Sequence, residues 1–238
     1  MKTGLLLIFW VMAFGTKAQQ LQFHYDFRHS LDPELTQTNF ASITFEYFKG
    51  NDSTGSFLFK MQTDLSSENS NVGQVFLQVS KNIRYWKPKV ELAMTYSGGL
   101  GISPPSFGYS ITNTVGLGAA YPFTWKGGWF TTSLVCRTSL FSRPSYDPQF
   151  TFYFGRGFFN YRLLVAGSLV AWSENRNQGT PSTKELMGKK VAFFGDPQCW
   201  LKLTKSLSIG SRVNLFYHTL TTKNHLQIYP TLGLKTQF

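Results

Sequence analysis

"HLQIYPTLGLKTQF" (225–238) separates by parity into two kinds of residue. Leu226, Ile228, Pro230, Leu232, Leu234, Thr236 and Phe238 are mostly apolar, whereas Gln227, Tyr229, Thr231, Gly233, Lys235 and Gln237 are mostly polar or small. Successive side chains of a strand point to opposite faces, so this alternation predicts a strand with one apolar and one polar side. A soluble sandwich and a membrane barrel both contain such strands. The rest of the chain has to separate them.

Strand length is the first discriminator. Strand-like segments lie near 20–29, 40–49, 56–65, 73–86, 88–99, 108–123, 129–141, 149–157, 160–174, 189–204, 206–219 and 225–238, about twelve in all. Several run to roughly 10–15 residues, against about 5–6 for soluble domains and about 9–11 for a tilted strand crossing a bilayer. The connections are the second. "GNDSTG" (50–55), "WKP" (86–88), "KGG" (126–128), "FFN" (158–160) and "KS" (205–206) are tight. Those between them, at 30–39, 66–72, "GGLGISPPSFG" (98–108), "SRPSYDP" (142–148), 175–188 and "TTKN" (221–224), are mostly longer. Short turns alternating with long loops are the habit of outer-membrane barrels, with the turns on the periplasmic side. An even strand count also puts both termini there.

Faces agree. In "QLQFHYDFR" Leu21, Phe23, Tyr25 and Phe27 oppose Gln22, His24, Asp26 and Arg28. Ile43, Phe45 and Tyr47 oppose Ser42, Thr44 and Glu46, and Phe57, Phe59 and Met61 oppose Lys60, Gln62 and Asp64. The segment 160–174 is apolar on both faces, so parity gives it no orientation. Tyr25, Tyr47, Tyr85, Trp86, Tyr96, Tyr121 and Trp125 fall near strand ends, where interfacial girdles form. The expected fold is an all-β transmembrane antiparallel up-and-down barrel of about twelve strands.

The N-terminal "MKTGLLLIFWVMAFGTKAQQ" carries a basic residue, an apolar run from Gly4 to Gly15 and small residues before Gln19. That pattern predicts a cleaved export signal over 1–18, too short to span a membrane as a helix. One barrel domain is expected over 19–238, with no repeat, linker or composition break to divide it. Without Lys2 and Lys17 the 23 basic residues fall to 21 against 12 acidic ones, a net charge of about +9. The excess is scattered, so no nucleic-acid arm is predicted. Cys136 and Cys199 would sit three strands apart on the outer face, roughly 14 Å, beyond disulfide reach. No His/Cys/carboxylate cluster has metal-ligand spacing, and no cofactor is expected.

Several stretches resemble an outer-membrane family of bacteroidete bacteria, a domain of unknown function: "HYDFRH" (24–29), "FEYFKGNDSTGSFLF" (45–59), "VELAMTYSGGLG" (90–101), "GDPQCWLKL" (195–203) and "YPTLGLKTQF" (229–238). They occur in order over nearly the whole mature chain. That family is similar in size and strand number to the nucleoside-specific channel Tsx, a narrow twelve-stranded barrel. The resemblance implies an outer-membrane location, lipid and lipopolysaccharide as surroundings, and Phe238 as the terminal residue read by the barrel-insertion machinery.

By parity the lumen receives Asp26, Arg28, Glu46, Lys60, Asp64, Phe76, Arg84, Glu91, Arg137, Trp200, Lys202, Arg212, Phe216 and Tyr229 as candidate solute contacts. Asp196, Phe48, Trp129 and Tyr153 point the same way. Gly116, Gly118, Ala120, Gly210 and Gly233 are expected to leave free space beside them. Aromatic faces with a few charged or amide groups make a small-molecule site, and the near-even balance of signs predicts weak ion selectivity. The expected function is therefore passive, selective passage of small solutes, nucleoside-like ones included. The alternatives are a non-conducting structural or surface-binding barrel and an outer-membrane lipid hydrolase. A hydrolase would need a Ser–His pair, for which His29 at a loop entrance and His218, inward by parity, are the nearest approaches. "GLGISPPSFG" has neither the helix nor the Lys of a phosphate loop and reads as an exposed loop.

Overall fold

The computed structural model describes residues 19–51, 53–67, 71–103, 107–141, 143–179, 183–221 and 223–238. The predicted export signal (1–18) lies outside the described residues. The first seven strands are β1 (Gln19–Asp26), β2 (Phe40–Asn51), β3 (Gly55–Leu65), β4 (Gln74–Ile83), β5 (Glu91–Ser103), β6 (Phe107–Trp125) and β7 (Gly128–Ser139). The others are β8 (Tyr146–Phe158), β9 (Leu163–Asn175), β10 (Lys189–Gly195), β11 (Gln198–Lys202), β12 (Leu207–Tyr217) and β13 (Gln227–Gln237). All pairings are antiparallel, and β13 pairs with both β12 and β1, closing the sheet into a barrel.

Strands β10 and β11 are two halves of one stave. Both lie between β9 and β12 and keep a single register: Gly195 faces Leu169 and Gln198 faces Ala166. The break falls at Asp196-Pro197, where proline has no N–H to give the ladder. Thirteen segments therefore make a closed barrel of twelve staves, the number the sequence predicts.

Three local expectations need correction. The "GGLGISPPSFG" stretch is mostly strand: β5 continues to Ser103, β6 resumes at Phe107, and the register shifts at a bulge between Gly99 and Leu100. A bulge lets a strand absorb an extra residue without losing its partner, so Gly98, Gly99, Gly101 and Gly108 all lie in the paired strands. The "WKP" turn occupies residues 84–90, because β4 ends at Ile83 and β5 begins at Glu91. The loop after β1 contains a single helical turn, α1 (Arg28–Leu31), where the Asp26 carboxylate accepts from the Arg28 N–H at 2.9 Å. The tight "KGG" turn holds as predicted. Lys126 (φ 47°) and Gly127 (φ 76°) both take the left-handed backbone that a two-residue hairpin requires.

Strand β9, which parity left unoriented, is placed by its neighbour: Thr151 faces Val170 and Tyr153 faces Ser168, so even-numbered β9 residues share the inward face. The polarity of the molecule is inverted relative to a soluble domain. Buried side chains are mostly polar or charged, among them Gln22, Asp26, Asp64, Arg212 and Lys235. Apolar side chains such as Phe23, Leu117, Leu134, Ile228 and Leu232 stand exposed on the outer wall. There Tyr121, Phe123, Phe130, Phe152 and Phe154 form a run of stacked rings with centroids 5.2 to 6.1 Å apart across β6, β7 and β8. Cys136 and Cys199 are free and exposed on that wall. This is the arrangement of a barrel solvated by lipid.

Leu232 lies midway along β13 and is 56% exposed on the outer wall. Leu232→Arg should destabilise the barrel refolded in lipid vesicles by about 2–4 kcal/mol, read from its urea unfolding midpoint. An unchanged midpoint would mean that this wall does not face lipid.

Candidate functional site

The interior divides into three tiers between the end carrying the short turns and both described termini (the turn end) and the end carrying the long loops (the loop end). The middle tier is built around the broken stave. With the Pro197 N–H missing and Gly167 opposite, the backbones of β9 and the break approach so closely that a Cβ on Gly167 would stand 2.7 Å from the Asp196 carbonyl oxygen. The Asp196 side chain takes over the local bonding. Its Oδ1 accepts from the Ser168 N–H at 2.8 Å and the Ser168 hydroxyl at 2.7 Å. Its Oδ2 accepts from Lys60 Nζ, which reaches over from β3 on the opposite wall. Both ends of this ion pair are buried, with side-chain exposures of 9% and 3%. Beside it, Gln78 on β4 donates to the Tyr153 hydroxyl on β8 at 2.9 Å.

Arg212 completes the middle tier. Its guanidinium donates to Thr44 Oγ1 (3.2 Å), Gln62 Oε1 (3.1 Å) and Ser42 Oγ (3.4 Å), tying β12 to β2 and β3. His24 bonds Thr231 Oγ1 and Gln22 Oε1, each at 2.9 Å, and sets its ring edge against Trp200. The small residues here do not leave free space, contrary to the sequence expectation. Trp200 packs against Gly210, His24 against Gly233 and Val135 against Gly116. Ala93, Ala120 and Val135 form a small apolar cluster inside the wall. Glycine is used to admit a bulky neighbour.

The loop end is closed by a second set of contacts. Asp26 accepts from Arg28 Nη2 at 3.0 Å and from Asn214 Nδ2 at 3.3 Å. The Arg28 guanidinium lies 5.2 to 5.4 Å from the ring centroids of Phe40, Phe216 and Tyr229. The Tyr229 hydroxyl donates to Asp32 at 3.0 Å, pinning the loop after α1 inside the mouth. Asp64 accepts from Gln62 at 2.8 Å and Gln74 at 2.5 Å. Arg137 pairs with Glu174 at 3.5 Å and covers the Trp172 ring.

The turn end is open. A cavity of about 380 Å³ runs from the Lys60–Asp196 bridge to the turn-end rim. That is the size of a small-molecule site. Phe48 and Trp129 stack near its mouth with centroids 6.4 Å apart and planes at 14°. They remain 45% and 47% exposed although both occupy inward positions. Glu46 accepts from Gln20 Nε2 at 2.6 Å, and Lys235 Nζ lies 4.6 Å from the centroid of the Trp200 ring.

The structure thus brings Glu46, Lys60 and Trp200 together at the cavity. It gathers Asp26, Arg28, Asp64, Phe216 and Tyr229 at the loop end, and sets Arg212 between the two groups. Phe76 is half-buried on the loop half of β4, Arg137 belongs to its own loop-end cluster, and Glu91 is buried at the start of β5. Arg84 and Lys202 lie at the turn-end rim: Arg84 donates to the Lys87 carbonyl at 3.1 Å, and Lys202 is exposed at the end of β11. Phe238 is exposed, its N–H bonded to the Gln19 carbonyl at 3.2 Å. Lys235 and Gln198 were missed as candidates, although both follow the same parity as Tyr229 and Trp200.

His218 is not inward. It follows the end of β12 with a left-handed backbone (φ 53°), and its ring bonds the Val191 carbonyl and Asn224 Oδ1. His29 bonds the Thr36 carbonyl at 2.6 Å. Among the described residues, these rings have no serine hydroxyl as partner.

Residues 18–238 match the family described as a domain of unknown function, DUF5020. No curated protein matches the chain in sequence. Among solved structures, the NanC porin is similar at 10% identity and a TM-score of 0.57, covering 93% of this chain and 100% of its own. The KdgM porin (7% identity, TM-score 0.46) covers 92% and 98%. LpxR from Salmonella typhimurium (10% identity, TM-score 0.47) covers 92% and 99%.

Removing one partner of a buried ion pair leaves the other charge stranded, which costs about 3–5 kcal/mol. Lys60→Met should lower the barrel's unfolding free energy by that amount, and adding Asp196→Asn should restore most of it. A double variant as unstable as the single one would show that Lys60 acts through packing and not through the pair.

Proposed function

We propose that this chain, which belongs to the DUF5020 family, is an outer-membrane channel for passive and selective passage of small polar solutes. The observation that carries the reading is the cavity of about 380 Å³, open at the turn end and floored by a charged bridge across the lumen. A barrel whose only task is mechanical has no need of a solute-sized space lined by both charge signs and a stacked aromatic pair. The Lys60–Asp196 bridge is the constriction at the cavity floor, and passage requires both it and the loop-end contacts to part or to be skirted. Flat solutes of nucleoside size suit the Phe48–Trp129 pair, because ring faces stack at 4.5–7 Å centroid separations. Lipid and lipopolysaccharide surround the apolar wall, and the last strand with Phe238 is the part offered to the insertion machinery.

A second reading is a non-conducting barrel. The cross-lumen contacts Lys60–Asp196 and Gln78–Tyr153 favour it, since each occupies the path. The hydrolase reading has no such support, given the partners of His29 and His218.

Single-channel recording in planar bilayers separates the two. The channel reading expects small steps with weak cation–anion preference, and a several-fold larger conductance for the double variant Lys60→Ala/Asp196→Ala. Silence from both proteins, each shown to be folded, would establish the non-conducting barrel.

A further inference from the structure

Two charged groups bordering the turn-end cavity, Lys235 and Glu46, make no ion pair among the described residues, although Lys60 stands directly across from Glu46 in the β2–β3 register and gives its ammonium to Asp196. Lys235 is 3% exposed, yet its ammonium has no carboxylate within ion-pair distance among the described residues; it lies over the face of Trp200, 4.6 Å from the ring centroid. Glu46 uses Oε1 to accept from Gln20, while its other oxygen, Oε2, has no partner among the described residues. A buried ammonium set on an indole face is a poor resting arrangement, because the ring replaces only part of the lost hydration. The two charges attract one another without forming an ion pair. Glu46 is on β2 and Lys235 on β13, on either side of β1, with Glu46 level with Gln20 and Lys235 level with Gln22. Two strand spacings of about 4.8 Å and a two-residue offset of about 7 Å put their Cα atoms roughly 12 Å apart.

The remaining charges at the cavity, Lys60 and Asp196, neutralise one another. Among the described residues, the site therefore presents one cation and one anion outside any ion pair on a single wall, with the amide of Gln20 between them. A purely anionic solute would face Glu46 and a purely cationic one Lys235. A neutral solute would leave both without a partner.

We propose that the turn-end cavity is a binding site for a zwitterionic, amino-acid-like solute, its carboxylate on Lys235 Nζ and its ammonium on Glu46 Oε2. A flat apolar side chain on the solute would lie against Phe48 and Trp129 at the mouth. This deepens the channel reading by naming the class of solute, and it rests on that reading only for passage, not for binding.

The test is calorimetric titration of the barrel, refolded in detergent, with four probes that each carry a flat ring: L-phenylalanine, phenethylamine, 3-phenylpropionate and uridine. Phenylalanine should bind at least about tenfold more tightly than any of the other three, since each lacks at least one charge-assisted hydrogen bond. Lys235→Met should reduce phenylalanine to the affinity of phenethylamine, and Glu46→Gln should reduce it to that of 3-phenylpropionate. Equal affinities for all four, no binding of phenylalanine to the folded wild type, or a preference that survives both substitutions would each overturn the proposal. Binding with this pattern by a barrel that carries no current would keep the site and discard the channel. Current without this pattern would do the reverse.

Discussion

The pairing of β13 with β1 is the interaction on which the rest of the structure depends. It runs from Gln20 opposite Gln237 to Asp26 opposite Thr231 and leaves the sheet without an edge. Lipid offers backbone groups no hydrogen bonds, so each ladder bond missing at membrane depth costs several kcal/mol. The same pairing fixes the faces. A slip of one residue would turn His24 and Asp26 to the lipid and Phe23 and Tyr25 to the lumen.

Closure commits the chain to a polar interior, and the interior then has to satisfy itself. In the middle and loop-end tiers it does so by spanning the lumen. Lys60 meets Asp196 from the far wall, Arg212 gathers three acceptors from β2 and β3, and Arg28 is enclosed by three rings. At the turn end the network stops short, leaving Glu46 and Lys235 beside open space. The lumen is thus asymmetric, bonded across in its loop half and open in its turn half.

How much of this the sequence discloses depends on the range of each interaction. The faces of β1, β2, β3 and β13 are local and follow directly from alternation, as does the Lys126-Gly127 turn. Strand β9 is different: Leu164, Ala166, Val170 and Trp172 point inward while Leu163, Val165 and Leu169 point outward, so polarity does not mark a face. Only the partner strand orients it. The glycine-rich ends of β5 and β6 look like loop in sequence because pairing across a bulge overrides local turn preference. Parity delivered Lys60, Asp196 and Arg212 to the lumen, but not which side chains meet there. Which wall a long side chain reaches depends on the shape of the closed barrel, and Lys60 and Asp196 are 136 positions apart. The tight packing at Gly116, Gly210 and Gly233 was hidden for the same reason, because a glycine in sequence records only that something is small.

The seam has one more consequence, for the order of synthesis. Nearly every other strand pair joins neighbours along the chain and is available as soon as its hairpin exists, whereas Gln20 has to wait for Gln237. The first strand is made early and acquires its second partner last. A chain broken off anywhere before residue 227 therefore leaves β1 with a bare edge, however well its finished hairpins have paired. Closure acts as a length check, distinguishing a finished barrel from an interrupted one by whether any edge is still open to another chain.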